Sequence, residues 1–442
     1  MTNNNTTSTQ LIYGVEDRPP VREAIFAAVQ HLLAIFVAII TPPLIIAGAL
    51  KLDLETTGFL VSMALFASGI STFVQCRKFG PVGAGLLCIQ GTSFSFIGPI
   101  INAGFAGGLP LIFGACIAAS SVEIVISQVL RVARKLITPL VAGTVVSMIG
   151  LSLIKVGLTA CGGGFGAMEN GTFGSVQNLA LSGGVLVLIV LLNLCKNKYL
   201  RMSSIFIGIL VGFAASYFMG MVDFSAIQNL PKFNVPVPFK YGIDFSWSAF
   251  ISIGLVYLVT AVEATGDITA NSLVTGLPIE GEQYRKRLSG GILGDGLNSA
   301  ICGMFNSFPN SIFSQNNGLI QLTGVGSRYI GYYIAGFLIL LGMFPIVGGV
   351  FSLLPEPVLG GATLLMFGTV AAAGIRIIAS QKIDHRATLI LSISLGLGLG
   401  VELVPSILDQ LPAAIKGIFS SGITTGGLTA IVTNLLLAKK ED

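Results

Sequence analysis

Pro139-Leu-Val-Ala-Gly143-Thr-Val-Val-Ser-Met148-Ile-Gly150 and Pro357-Val-Leu-Gly-Gly361-Ala-Thr-Leu-Leu-Met366-Phe-Gly368 align without gaps at an offset of 218 residues. The same offset lays Gly85 on Gly303, Thr92 on Asn310 and Ser93 on Ser311. Counted along the apolar segments of the chain, these are spans five and twelve, and three and ten. Seven spans separate each pair. An odd separation makes the two copies cross a membrane in opposite directions. A chance match between Gly-rich apolar helices is the plain alternative, and a shared offset across two span pairs argues against it. Inverted repeats are characteristic of secondary transporters, whose ligand sits near the bilayer midplane where the halves meet.

Composition supports a chain that lives in lipid. Hydrophobic residues make up 53% and charged residues only 10%, and the mean hydropathy is +0.86. A soluble domain carries about 25% charged residues. The net charge of +4 is too small to suggest a nucleic-acid binder. The first ten residues are Asn/Thr-rich, and residues 1–20 are expected to be a disordered N-terminus. They lack a basic stretch followed directly by an apolar one, so no cleaved signal peptide is expected. The six cysteines are scattered through apolar segments without a C-x-x-C pair and read as buried thiols. With only His31 and His385 present, in unlike contexts, no metal site is expected.

A spanning helix needs roughly 20 apolar residues. Segments bounded by charges or by Pro/Gly breaks predict fourteen: 24–50, 57–76, 81–103, 108–130, 138–158, 180–195, 203–222, 246–272, 289–304, 309–326, 329–351, 357–379, 386–404 and 411–437. With the N-terminus in the cytoplasm, 19 of the 24 basic residues fall on the inner side, including Arg131, Arg134, Lys135, Lys198, Lys439 and Lys440. Only Lys51, Lys155, Lys232, Lys240 and Lys416 fall outside. This asymmetry follows the positive-inside rule and predicts an even span count with both termini cytoplasmic.

Two of these segments are poor continuous helices. Gln90-Gly-Thr-Ser-Phe94-Ser95 and Ser307-Phe-Pro309-Asn-Ser311-Ile-Phe-Ser314-Gln315 mix hydroxyls with Phe and contain Gly or Pro. Short extended stretches that meet are expected there, with helix N-termini aimed at a cavity and favouring an electron-rich ligand. Immediately after comes Gln315-Asn316-Asn317-Gly318, followed by Leu319-Ile320-Gln321-Leu322-Thr323-Gly324. A bilayer offers no water to such groups, so they must face protein, a wet cavity or a ligand. Side-chain amides supply donors and acceptors suited to a flat, neutral, polar molecule. Phe94 and Phe96 could stack on its ring, although most of the 28 phenylalanines must face lipid or core.

Intramembrane carboxyls are costly and default to functional readings. Glu263 and Asp267 stand four apart, hence on one helix face. Glu263 would accept hydrogen bonds from the N–H edge of a heterocycle. Desolvation favours its neutral form, which suits proton exchange. Asp267 and Asp295 could relay a coupling proton or brace the site. His31 reads more readily as a packing residue than as a ligand, Glu123 as structural, and His385 as solvated. No G-x-x-x-x-G-K-[ST] occurs, so no ATPase motif drives transport within this chain.

The run 315–324 resembles the signature of the nucleobase–ascorbate transporter family: Gln, Glu or Pro, then Asn, any residue, Gly, four residues, Thr, and Arg, Lys or Gly. Gln30-His31, Glu263-Ala-Thr-Gly-Asp267 and Gly294-Asp295-Gly296 resemble that family's motifs in helices one, eight and nine. The resemblance runs from about Asp17 to the end. Asp17-Arg-Pro-Pro20, His31-Leu-Leu-Ala34 and Gln315-Asn-Asn-Gly318 look like its bacterial xanthine-permease branch.

This resemblance implies an all-α polytopic membrane protein of seven plus seven inverted helices, with extended stretches in segments three and ten. The core domain would comprise residues 21–135 and 241–352, and the gate domain residues 136–240 and 353–442. It implies a proton symporter rather than an enzyme, no cofactor beyond the coupling proton, and a homodimer in the bacterial inner membrane. Glu263 and Gln315 would bind the base and Asn316 would orient the site; from the broken stretches themselves, Ser93, Phe94 and Ser311 are expected to line it as well. Asp267, Asp295 and His31 would carry the proton or support the site. Gln at 315, where uracil permeases have Glu, favours a purine. Ser at 93, where some xanthine permeases have Asn, leaves xanthine and uric acid both open, and a uracil carrier is the further alternative. An anion exchanger or channel on the same architecture would require a basic residue near the half-helix ends, and none precedes Arg328 in span ten.

Overall fold

The computed structural model describes residues 11–129, 138–197, 200–201, 203–227, 233, 235–379, 381–412, 415–416, 419 and 421–437. The expectations for residues 1–10, for the 131–135 basic loop, and for Lys198, Lys232, Lys439 and Lys440 lie outside them. The chain is mostly helical. The helices are α1 (Val21–Ala49), α2 (Leu54–Arg77), α3 (Ile97–Gln128), α4 (Pro139–Cys161), α5 (Gly164–Glu169), α6 (Val176–Leu194), α7 (Ser204–Phe218) and α8 (Trp247–Val274). They continue as α9 (Gly281–Met304), α10 (Gln315–Thr323), α11 (Ile330–Met343), α12 (Pro345–Ser352), α13 (Glu356–Ala379), α14 (His385–Leu403) and α15 (Gly422–Leu436). Among the described residues two three-residue strands complete the framework, β1 (Gln90–Thr92) and β2 (Asn310–Ile312).

Among the described residues, eight helices are long and apolar enough to cross a membrane, or nine if the bent pair α11–α12 counts as one span. This makes the chain a multi-pass membrane protein. Several expected boundaries move. Residues 81–89 are not helical, and the helix expected over 81–103 begins only at Ile97, because the Gly-rich stretch before it turns repeatedly through positive φ (Gly80, Gly83, Gly85). The expected separation of 81–103 from 108–130 survives as a break inside α3, at Gly107 and Gly108. Gly108 has φ 68° and ψ −162°, a conformation a side chain would not tolerate. The expected span 329–351 is bent by 76° between α11 and α12, where Pro345 lacks the N–H that a continuing helix needs.

Packing sorts the helices into two groups. In one, α1, α2, α3, α8, α9, α11 and α12 pack on one another; in the other, α4, α6, α7, α13, α14 and α15 do. In the second group α4 and α13 lie antiparallel, with Gly143 facing Gly374 and Ile378, Gly150 facing Ala371, and Gly360 facing Cys161. A Cβ placed at Gly150 would stand 2.2 Å from the Ala371 backbone nitrogen. Glycine is what lets the two backbones approach, as in other tightly packed membrane helices.

The expected disordered segment 1–20 is ordered in its described half. Ile12 N–H donates to Gly324 O (2.7 Å), Gly326 N–H to Tyr13 O (2.9 Å) and Arg328 N–H to Val15 O (3.1 Å). Arg328 pairs with Glu16 at 2.8 Å, and the Arg18 guanidinium lies 4.7 Å from the Tyr329 ring centre. The loop after α10 exposes backbone groups that this strap satisfies, which low hydrophobicity alone did not reveal. The expected buried thiols are found at Cys76, Cys88, Cys116, Cys161 and Cys302, whereas Cys195 is half-buried.

Candidate functional site

The two polar, Gly/Pro-containing stretches meet. Strands β1 and β2 pair antiparallel, with Gln90 opposite Ile312, Gly91 opposite Ser311 and Thr92 opposite Asn310. Ser93 N–H extends the ladder to Pro309 O at 2.9 Å. This pairing satisfies backbone groups that neither stretch could satisfy as a helix in a low-dielectric interior. After each strand the chain turns at once into a helical start: a 3₁₀ turn at Phe94–Phe96 leading into α3, and α10 from Gln315. Both starts therefore sit at the crossing of the two strands.

A cavity of about 660 Å³ opens beside these helix starts. Ser93, Phe94 and Ser95 border it from the first stretch, Ser311 and Gln315 from the second, and Glu263 and Asp267 from α8. The four-residue spacing of Glu263 and Asp267 puts both carboxyls on the face of α8 that meets the cavity. Among the described residues neither carboxyl has a hydrogen-bonding neighbour. The opposite wall is apolar and comes from the other helix group: Pro139, Ala142, Val146 and Ile149 of α4, and Val370, Ala373 and Ile377 of α13. Phe94 leans edge-on against Phe367 of α13, behind that wall, ring centres 5.8 Å apart. The cavity thus has two carboxyls, an amide and hydroxyls on one side and hydrocarbon on the other. Such a wall suits a flat molecule with a polar rim.

Six of the nine predicted site residues share this cavity: Glu263, Asp267, Gln315, Ser93, Phe94 and Ser311. Asn316, Asp295 and His31 do not border it. Asn316, predicted to contact the ligand, is buried and donates its amide to Leu87 O. One residue along an α-helix is a rotation of about 100°, so the side chain after Gln315 turns into the protein. Its neighbour Asn317 donates to Asp267 O (3.2 Å) and accepts from Asn271 (3.0 Å), tying α10 to α8. His31 is buried beside the Asn316 amide, away from the cavity. Phe96, weighed as a second stacking ring, is buried against Tyr257 instead, 4.6 Å between centres.

Asp295 anchors β1 rather than lining the cavity. Its Oδ1 accepts from Gln75 Nε2 at 2.9 Å and from Gln90 Nε2. Gln90 Oε1 in turn accepts from Asn298 Nδ2 at 2.7 Å. Below β2, Asn310 Nδ2 reaches Ser71 Oγ (3.2 Å), and Ser299 Oγ donates to Asn310 O (3.2 Å). Gln75, Gln90, Asn298 and Asn310 thus form a buried polar bed for the strands. Amides inside otherwise apolar spans were the signal that could have found them. Glu123, read as structural, is buried and accepts from Thr260 Oγ1 at 3.3 Å.

Broken helices around a half-polar cavity are the architecture of a membrane transporter. The family model described as "Permease family" (Xan_ur_permease) matches residues 22–407. Xanthine permease XanP of Escherichia coli K12 is 51% identical, over 98% of this chain and 95% of its own length. Xanthine permease XanQ of the same strain is 48% identical, over 99% and 96%. Uric acid permease PucJ of Bacillus subtilis is 35% identical, over 94% and 92%. The chain belongs to this permease family, the nucleobase–ascorbate transporters. Among solved structures, the transmembrane domain of the cyanobacterial bicarbonate transporter BicA aligns with a TM-score of 0.57 at 14% identity, over 96% of this chain and all of that one. The murine anion transporter Slc26a9 aligns at 0.63 and 11%, over 95% of this chain and 69% of that one. At such identities the likeness concerns the fold alone.

Proposed function

We propose that this chain is a proton-coupled symporter that imports a purine base, xanthine first among candidates. The observation that carries this reading is the convergence of Glu263, Asp267 and Gln315 on one cavity beside the paired strands. A deprotonated Glu263 accepts from the N–H edge of the base, and the Gln315 amide pairs with a neighbouring donor–acceptor edge. Ser93 and Ser311 face the remaining rim, Phe94 covers the ring, and Asn316 and Asn317 hold Gln315 in place from behind. The two extensive xanthine permease relatives support the choice of base.

The seven-plus-seven inverted arrangement is part of the proposal. The antiparallel packing of α4 on α13 and the pairing of β1 with β2 support it. The helix group of α1 to α3, α8, α9, α11 and α12 is the core domain, and the group of α4, α6, α7 and α13 to α15 is the gate. A proton on the Glu263–Asp267–Asp295 cluster removes buried charge and lets the core move against the gate, so the cavity changes sides. The protein would act as a homodimer in the inner membrane with both termini cytoplasmic.

Uric acid is the second reading, favoured by the 35% identical uric acid permease and by Ser at position 93. An anion exchanger has less support: among the residues lining the cavity there is no Lys or Arg. Radiolabelled xanthine uptake into cells tests the assignment. Uptake should be lost in Glu263→Ala and Gln315→Ala and should collapse with a protonophore. Unchanged uptake in both variants would reject the site.

A further inference from the structure

A second cavity, of about 320 Å³, lies on the other side of Gln315. It is bounded by α1, the end of α6, the start of α7 and α13, and among the described residues Gln315 alone borders both cavities. From the geometry we infer that this is a second station for the transported base, occupied between the main cavity and the solvent. The volume falls at the lower end of the ~300–1,000 Å³ typical of small-molecule sites, which suits a bicyclic base and little more.

The lining chemistry matches such a ligand. Asn193 spends its amide hydrogens within the fold, donating to Ile189 O (3.0 Å) and Ser204 Oγ (2.8 Å). Its carbonyl oxygen is left as an acceptor. The Thr369 hydroxyl likewise donates to Met366 O (2.7 Å) and keeps its lone pairs. Two acceptors on one rim call for a ligand rich in N–H donors. Leu33 and Phe206 supply an apolar flank for a planar ring, and Arg201 stands at the rim, the one cation lining it among the described residues. The Gln315 amide can rotate its donor and acceptor towards either cavity. A base leaving Glu263 would therefore keep one partner while exchanging the others, which lowers the barrier to release.

The inference rests on the proposed purine function, and the test separates the two. Purified full-length protein in detergent is titrated with radiolabelled xanthine to millimolar concentration, and bound base per protomer is counted. Two classes of site are expected. Glu263→Ala should remove the tighter one. Thr369→Trp and, independently, Leu33→Trp should fill the second cavity and remove only the weaker one, with elution profiles unchanged. Gln315→Ala should weaken both by about ten-fold or more. One base per protomer, abolished by Glu263→Ala, would overturn the second station and leave the purine reading standing. Two classes that persist in both tryptophan variants would overturn its location. No saturable xanthine binding would overturn both.

Discussion

Removing the Asp295 carboxylate should unseat strand β1, and the size of the effect can be worked from the hydrogen bonds. Oδ1 of Asp295 accepts from Gln75 Nε2 (2.9 Å) and from Gln90 Nε2, and all three residues are buried. Asp295→Ala strips both amides of their acceptor. A buried donor left unsatisfied costs about 1–3 kcal/mol, so two cost about 2–6 kcal/mol. That is a large part of the ~5–15 kcal/mol that typically separates folded from unfolded protein. Gln75 retains a second bond, to Gly291 O at 2.8 Å, which pulls its share towards the lower end. Gln90 retains only the bond its own carbonyl accepts from Asn298, so the larger share falls on β1. Asp295→Asn keeps an oxygen where Oδ1 stands and should cost about 1 kcal/mol or less, one ordinary net hydrogen bond. The assay is thermal stability in detergent, read by fluorescence-detected size exclusion, with xanthine binding measured on the surviving fraction. The alanine variant should melt well below the asparagine variant and bind base more weakly, since Gln90 is three residues from Ser93. Equal melting of the two variants would refute the argument that the carboxyl acts here as a hydrogen-bond acceptor for β1.

Other consequences follow from particular contacts. Gly150→Leu must force α4 from α13, because its Cβ alone would stand 2.2 Å from Ala371 N; little folded protein should be recovered from membranes, whereas Gly368→Ala, with open space around it, should be recovered normally. Glu16→Ala removes the pairing with Arg328 and should loosen the strap at residues 11–19, raising its limited-proteolysis rate several-fold while global melting shifts by ~1 kcal/mol or less, as for an ion pair with an exposed partner. Ser93→Asn narrows the cavity rim beside Phe94; if Ser93 faces the base, competition by uric acid against labelled xanthine uptake should weaken more than competition by xanthine itself.

Much of the site was legible in the sequence because lipid makes polar residues conspicuous. Glu263, Asp267 and Gln315 stand out in apolar spans, and four-residue spacing fixes two of them on one face before any fold is known. The Gly/Pro-broken stretches at 90–95 and 307–315 likewise declared themselves as poor helices. What the sequence could not give was direction. Gln315 and Asn316 are adjacent amides of equal promise, and only the start of α10 decides that one meets the cavity and the other meets Leu87 O. The same holds for Phe94 and Phe96, two residues apart, one on the cavity and the other against Tyr257.

By itself, then, the chain determined that it enters a membrane, where its helices break, and which polar groups must find partners there. These follow from local composition and from the cost of burying unsatisfied groups in hydrocarbon. The tertiary structure alone decided that β1 and β2 bond to each other, that α4 and α13 supply the cavity's apolar wall, and that Asp295 serves Gln90. Those contacts join residues some 200 positions apart, and no local spacing encodes which of many similar amides and glycines will meet.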